Sequence, residues 1–119
     1  MTTISFTVDG QPVPKARARV TRNGHAYTPQ RTADWEALVQ SEAWVAMQGR
    51  YAIASDVEVI LRFCRQGKRR ADLDNMCKGV LDGMNGVIFE DDDQVVKITA
   101  DVTYGWPRPY VTIEVRTIE

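Results

Sequence analysis

The chain has 119 residues, of which 44% are hydrophobic and 26% charged, and its formal net charge is −1 at neutral pH. That length predicts one domain over residues 1–119, burying roughly two-thirds of the unfolded surface, which is enough for a hydrophobic core. The composition excludes a disordered or fibrous chain, no apolar run approaches the ~20 residues of a membrane span, and Met1-Thr2-Thr3-Ile4-Ser5 has neither the basic nor the apolar part of a secretory leader, so a cytoplasmic location without membrane contact is expected.

Cys64 and Cys77 fit no Cys-x-x-Cys spacing and read as two buried or half-buried thiols in a reducing compartment. One histidine, His25, is too few for a structural zinc site. The near-neutral net charge hides a segregation. Residues 10–33 carry Lys15, Arg17, Arg19, Arg22 and Arg31 and no acid; residues 59–71 carry Arg62, Arg65, Lys68, Arg69 and Arg70 and no acid. The stretch between them and Gln94 holds Asp72, Asp74, Asp82, Glu90, Asp91, Asp92 and Asp93. Either basic window alone reads as a solvated loop. Both together, beside one acidic segment, suit a protein that grips phosphates while holding a cation.

In chain order, Ile4, Phe6 and Val8 alternate with Ser5 and Thr7 and predict a half-buried strand, closed by the turn signal Asp9-Gly10. Pro12 and Pro14 make residues 11–14 an extended edge segment or a loop. Residues 15–27 place Lys15, Arg17, Arg19 and Arg22 around the turn signal Asn23-Gly24, which predicts a basic hairpin or arm for phosphates, with Tyr27 available for stacking. Thr28-Pro29 predicts a helix start. Trp35, Leu38, Val39, Ala43, Ala46 and Met47 then fall at helical spacing and Gly49 suits the C′ position, so a helix is expected over residues 30–48. Trp35 and Trp44 read as core or interface anchors. Val57, Val59, Leu61 and Phe63 predict a strand, and residues 65–70 a second basic loop, with Lys68, Arg69 and Arg70 facing phosphates. Leu73, Met76, Cys77, Val80, Leu81 and Met84 form one apolar stripe, predicting a helix over residues 72–85 that ends at Asn85-Gly86. Residues 87–89 are expected extended. Val96, Ile98, Ala100, Val102 and Tyr104 predict a long strand with one apolar face, and Val111, Ile113 and Val115 a last one. The order β-β-α-β-α-β-β predicts an α/β fold, a mixed sheet with two main helices packed on it.

Asp72 and Asp74 open the second helix directly after the basic loop. Carboxylates there are favoured by the helix dipole and can cap free N–H groups, which is the ordinary reading of Asp72. Capping accounts less well for Asp74 and leaves Glu90-Asp91-Asp92-Asp93 unexplained, because four consecutive acids repel one another. A divalent cation between the clusters would explain both. The geometry permits it: a helix of about 14 residues carries the chain ~21 Å away, and the extended residues after it span roughly 20 Å back. Oxygen-only ligands point to Mg2+ or Mn2+. Such a site suits phosphodiester hydrolysis, with Lys78 complementing charge on a phosphate oxygen or leaving group. As an i,i+4 partner of Asp74 or Asp82, Lys78 would also add a few tenths of a kcal/mol. An EF-hand fails because loop position 6 is Cys77 rather than glycine.

At these residues the chain resembles the RusA family of Holliday junction resolvases, small endodeoxyribonucleases common in prophages. The resemblance covers nearly the whole chain. It is most specific at Arg69-Arg70-Ala71-Asp72-Leu73-Asp74-Asn75 with Lys78, Asp82 and Asp91-Asp92-Asp93-Gln94-Val95-Val96, and it extends to Gly10-Gln11-Pro12-Val13-Pro14-Lys15-Ala16-Arg17 and Tyr27-Thr28-Pro29. It implies a RusA-like fold and a homodimer that binds four-way DNA junctions and makes paired, Mg2+-dependent nicks during recombination and repair, with no small-molecule cofactor. It further implies that Asp72, Asp74 and Asp92 are the catalytic, metal-holding aspartates, with Asp91 next to Asp92 at the metal and Lys78 assisting. Two other readings share the same residues: a less selective nuclease on branched DNA, and a non-catalytic DNA-binding protein with a structural cation.

Overall fold

In a computed structural model, which describes residues 2–16 and 19–118, the N-terminal alternation forms β1 (Thr3–Asp9). A hairpin of β2 (Arg19–Val20) and β3 (Ala26–Tyr27) follows, then α1 (Gln30–Met47), β4 (Val57–Cys64), α2 (Leu73–Met84), β5 (Val95–Thr103) and β6 (Tyr110–Thr117). The described strands build a four-stranded sheet in the order β1-β6-β4-β5, and β2 pairs only with β3. β6 is antiparallel to both β1 and β4, whereas β4 and β5 run parallel. A parallel pair needs a crossover, and α2 supplies it. The fold is therefore the expected α/β arrangement of a mixed sheet and two helices.

Both helices pack on one sheet face around a single hydrophobic cluster. β4 contributes Val57, Val59, Leu61 and Phe63, β6 contributes Val111, Ile113 and Val115, and the helices contribute Trp35, Val39, Met76, Val80 and Met84. The helices touch closely at Gly83, where an added Cβ would stand 2.7 Å from Val39 Cβ. The opposite sheet face is polar and electrically balanced: Glu58 pairs with Lys97 and Arg116, and Arg62 pairs with Asp101. That balance argues against it as a DNA-binding face.

One local expectation changes, at residues 87–89, and three others are sharpened. Residues 11–14 form no strand; Lys15 N donates to Asn75 O at 2.8 Å and Val13 O lies 3.2 Å from where a Gly79 Cβ would be, so this segment lies across α2. Prolines without N–H donors suit such a path, and Gly79 leaves room for it. Residues 86–88 form a turn, because the N–H groups of Val87 and Ile88 both return to Met84 O at 3.0 Å, and Phe89 follows in isolated β-bridges with Ile53 and Asn85; Ile88 and Phe89 are both buried. β5 carries the predicted apolar alternation but is the sheet's edge, and α2 covers only part of it, leaving Val96 and Ile98 exposed. Trp35 is in the core, whereas Trp44 is exposed. The Asn23-Gly24 turn forms as expected, with Gly24 at φ +80 and its N–H on Thr21 O. No helix among the described residues is long and apolar enough to cross a membrane.

Candidate active site

The parallel β4–α2–β5 unit brings the chain's two acidic segments together. β4 ends at Cys64, the basic loop crosses the sheet end, and α2 starts at Leu73 with Asp72 as its N-cap. Asp72 is extended (φ −72, ψ 119) and its side chain makes no capping hydrogen bond. Its carboxylate therefore satisfies none of the free N–H groups at the helix start, so capping does not account for it. Asp72 Oδ2 accepts from Asn75 Nδ2 at 3.2 Å, and Asp74 Oδ1 accepts from Asn75 N at 2.9 Å. Both acids are exposed, as is Lys78.

After the turn at residues 86–88 the chain enters a short 3-10 turn, Asp92–Gln94, that leads into β5. Asp91 is the N-cap of this turn and shares a capping box with Gln94. Asp91 N donates to Gln94 Oε1 at 2.9 Å, and Gln94 Nε2 donates to the carbonyls of Ile53 (2.7 Å) and Ser55 (2.8 Å). Gln94 is buried, so the acidic turn is bolted to the segment before β4. Its Asp91-x-x-Gln94 spacing is the capping-box signature, and that signal was available in the sequence.

This turn distinguishes the three aspartates. Asp92 Oδ2 meets Lys78 Nζ at 3.2 Å, and Lys78 also meets Asp82 Oδ1 at 3.1 Å. Hydrogen bonds that Lys78 donates to Asp82 and Asp92 raise its pKa above its ordinary value and keep it cationic. Asp91, expected at the metal beside Asp92, is exposed and lies beside Asp93. The charge of Asp91 is the main reason the Asp93 carboxyl is raised, with smaller effects from Asp92 and Asp56. The late cluster thus reaches α2 through Asp92. Among the described residues, no three Asp, Glu, His or Cys side chains gather closely enough to hold a metal ion.

The expected phosphate contacts divide. Lys68, Arg69 and Arg70 are exposed on the loop before Asp72, and Arg22 is exposed at the hairpin tip. The loop is held from the far side by Gln11, whose side-chain oxygen accepts from Gln66 N at 2.9 Å while its nitrogen donates to Gln66 O at 3.2 Å. Arg17 lies outside the described residues, and Arg19 is described only as backbone of β2. Lys15 departs from expectation. Its ammonium sits 3.1 Å from Glu36 on α1 and 3.1 Å from Asp82 on α2, tying the two helices together. Burial alone would lower its pKa, but hydrogen bonds to Asp82 and Glu36 outweigh burial and raise it.

Cys77 lies beneath Asp74 on the buried side of α2. Burial first, and the charge of Asp74 second, push its thiol up to about 11, so it is an inert thiol as expected. Along the free edge of β5, Leu73, Asp74, Cys77, Lys78, Leu81, Ile98 and Ala100 line an open groove of about 560 Å³ next to the acids.

An uncapped carboxylate at Asp72, an ammonium between Asp82 and Asp92 and exposed guanidinium groups one loop away suit a protein that handles nucleic-acid phosphates. Residues 9–116 match the family described as Endodeoxyribonuclease RusA. The chain is also similar to the uncharacterized protein YqaN of Bacillus subtilis (strain 168), at 31% identity with 99% of each chain covered. The chain belongs to the RusA endodeoxyribonuclease family, and its activity is that of a DNA endonuclease.

Proposed function

We propose that the protein resolves four-way DNA junctions by paired symmetric nicks, using Mg2+ (or Mn2+) and acting as a homodimer. The observation that carries this reading is the Asp72–Asp74–Lys78–Asp92 group, in which the Lys78–Asp92 contact at 3.2 Å joins the two acidic segments. The donor set fits the cation in kind, because Asp72, Asp74 and Asp92 offer only hard carboxylate oxygens and Asp72 is free of capping. Those three do not gather closely enough in this structure to enclose an ion and would have to draw together to hold one, which would lower the pKa of an attacking water and offset charge on the phosphate. Lys78 adds positive charge at the same place, poised to favour the leaving oxygen. Arg69, Arg70, Lys68 and Arg22, with Arg17 and Arg19, fix flanking phosphates without reading bases.

A second copy is supported by the groove beside the site. It is apolar along Leu73, Cys77, Leu81, Ile98 and Ala100, and it runs along an edge strand that pairs only with β4 among the described strands. Edge strands with exposed apolar side chains invite pairing with another chain. Two copies joined there would set two cutting centres about one two-fold axis, matching the symmetry of a junction. The test compares cleavage of a synthetic four-way junction, a flap and plain duplex, with and without Mg2+. Paired nicks restricted to the junction and dependent on Mg2+ support the proposal. Equal cutting of flap and junction favours a less selective branched-DNA nuclease, and no cutting of any substrate overturns it.

A further inference from the structure

Tyr104 lies just beyond β5, 33 positions from the loop it contacts. Its hydroxyl bonds both backbone groups of one residue: it accepts from Ala71 N at 3.2 Å and donates to Ala71 O at 3.3 Å. Ala71 immediately precedes Asp72, whose extended backbone departs from α2 without a side-chain cap to fix it. The Tyr104 ring also carries the Arg70 guanidinium, 4.8 Å from its centroid. A planar guanidinium stacked on an aromatic ring keeps its N–H donors in the plane. Among the described residues the Arg70 side chain takes part in no hydrogen bond or ion pair, so those donors remain for a phosphate.

A second fastening lies beside the first. Arg65 is only 5% exposed, and its Nη1 donates to Arg69 O at 3.1 Å. Its Nε is buried without a partner. No carboxylate among the described residues pairs with it. A buried guanidinium lacking a counter-charge is costly, and such costs persist where position matters. Arg65 is itself anchored to the segment carrying Tyr104: Arg65 N donates to Thr103 O at 2.9 Å, and Trp106 N to Arg65 O at 3.1 Å. The backbone is thereby held at residues 69 and 71, with the free Arg70 side chain between them.

Resting on the endonuclease reading above, we propose that Tyr104 is a positioning residue for DNA cleavage: its hydroxyl fixes the chain entering Asp72, its ring presents Arg70 to a backbone phosphate, and Arg65 braces the same strap from behind. Two functions on one side chain are separable. Tyr104→Phe keeps the ring under Arg70 and removes only the hydroxyl. Tyr104→Leu removes both.

The experiment measures single-turnover cleavage of a synthetic four-way junction and, separately, junction affinity in EDTA at several salt concentrations. A displacement of about 1 Å in a reacting group can cost ~100-fold in rate. Tyr104→Phe is expected to cut 10- to 100-fold more slowly, by that estimate, while binding within about twofold of wild type and keeping its salt dependence. Tyr104→Leu is expected to lose rate similarly, bind more weakly and show a salt slope smaller by about one phosphate contact. Should Tyr104→Leu not fold, Arg70→Ala reports the binding half alone, with the same smaller slope expected. A wild-type protein that cuts and a Tyr104→Phe variant that cuts equally well would overturn the role given to Tyr104 and leave the endonuclease reading standing. Equal losses of rate and affinity in Tyr104→Phe would overturn it too. A wild-type protein that cuts no branched DNA overturns the endonuclease reading, and the role of Tyr104 with it.

Discussion

Replacing Gln94 by leucine removes three hydrogen bonds at the base of the acidic turn. The Gln94 amide donates to Ile53 O (2.7 Å) and Ser55 O (2.8 Å), and its oxygen accepts from Asp91 N (2.9 Å). The side chain is buried, so leucine leaves these backbone groups without their partner in partly dry surroundings. At roughly 1 kcal/mol for each bond the loss is about 3 kcal/mol. The apolar burial gained by leucine offsets part of this, leaving about 2 kcal/mol. Urea denaturation slopes run about 1–3 kcal/mol per molar, so the midpoint should fall by roughly 1 M. Gln94→Glu should do at least as badly, since it keeps the shape but sets a carboxylate against two carbonyls. Cleavage should fall beyond what stability explains, because Asp92 follows Asp91 in the loosened turn. A Gln94→Leu midpoint within about 0.2 M of wild type would refute the bolt, given the same slope. A lowered midpoint with unaltered cleavage would separate the placing of Asp92 from the turn.

Three further outcomes follow from Lys15, Arg69 and Cys77. Lys15→Met should leave the salt dependence of DNA binding unchanged and lower stability by about 1 kcal/mol, the scale of partly exposed ion pairs, whereas Arg69→Ala should flatten the salt dependence by about one contact. Because the Lys15 pKa is raised, its contribution is complete below the ordinary value of 10.5 and is lost as pH climbs through the raised value, so the stability difference from Lys15→Met is constant near neutrality and shrinks in strong alkali. With the Cys77 thiol near 11, roughly one molecule in a thousand carries the thiolate at about pH 8. Alkylation of Cys77 should therefore be negligible in the native protein and rapid in urea, and fast native labelling would contradict its placement.

Local patterns were legible before the fold. The α2 stripe from Leu73 to Met84, the alternation in β4 and β6 and the Asn23-Gly24 turn depend on spacing within a few residues, and each formed. What spacing does not carry is which neighbour arrives from elsewhere. Alternation in β5 predicts an apolar face but not that the strand is an edge which α2 half covers. Pro12 and Pro14 exclude a central strand without revealing that the segment crosses α2 at Gly79. Lys15 read as a phosphate contact because its window holds no acid, yet Glu36 and Asp82 reach it from two helices. At the site, Asp72, Asp74 and Lys78 follow from their place on one helix. The Lys78–Asp92 contact depends on the direction in which Asp92 leaves a three-residue turn, and the Tyr104 contact spans a separation no periodicity encodes.

On the proposed reading Asp92, alone among the three late aspartates, joins Asp72, Asp74 and Lys78 in cutting DNA. The most direct test is a cleavage time course on a synthetic four-way junction in Mg2+ for wild type, Asp74→Asn, Asp92→Asn and Asp93→Asn, with junction binding measured in EDTA. Asp74→Asn and Asp92→Asn should cut at least about 100-fold more slowly, the scale for losing one transition-state contact, while binding as well as wild type or better. Asp93→Asn should cut at close to the wild-type rate. Wild-type cutting by Asp92→Asn, or the loss falling on Asp93→Asn instead, would contradict the site described here.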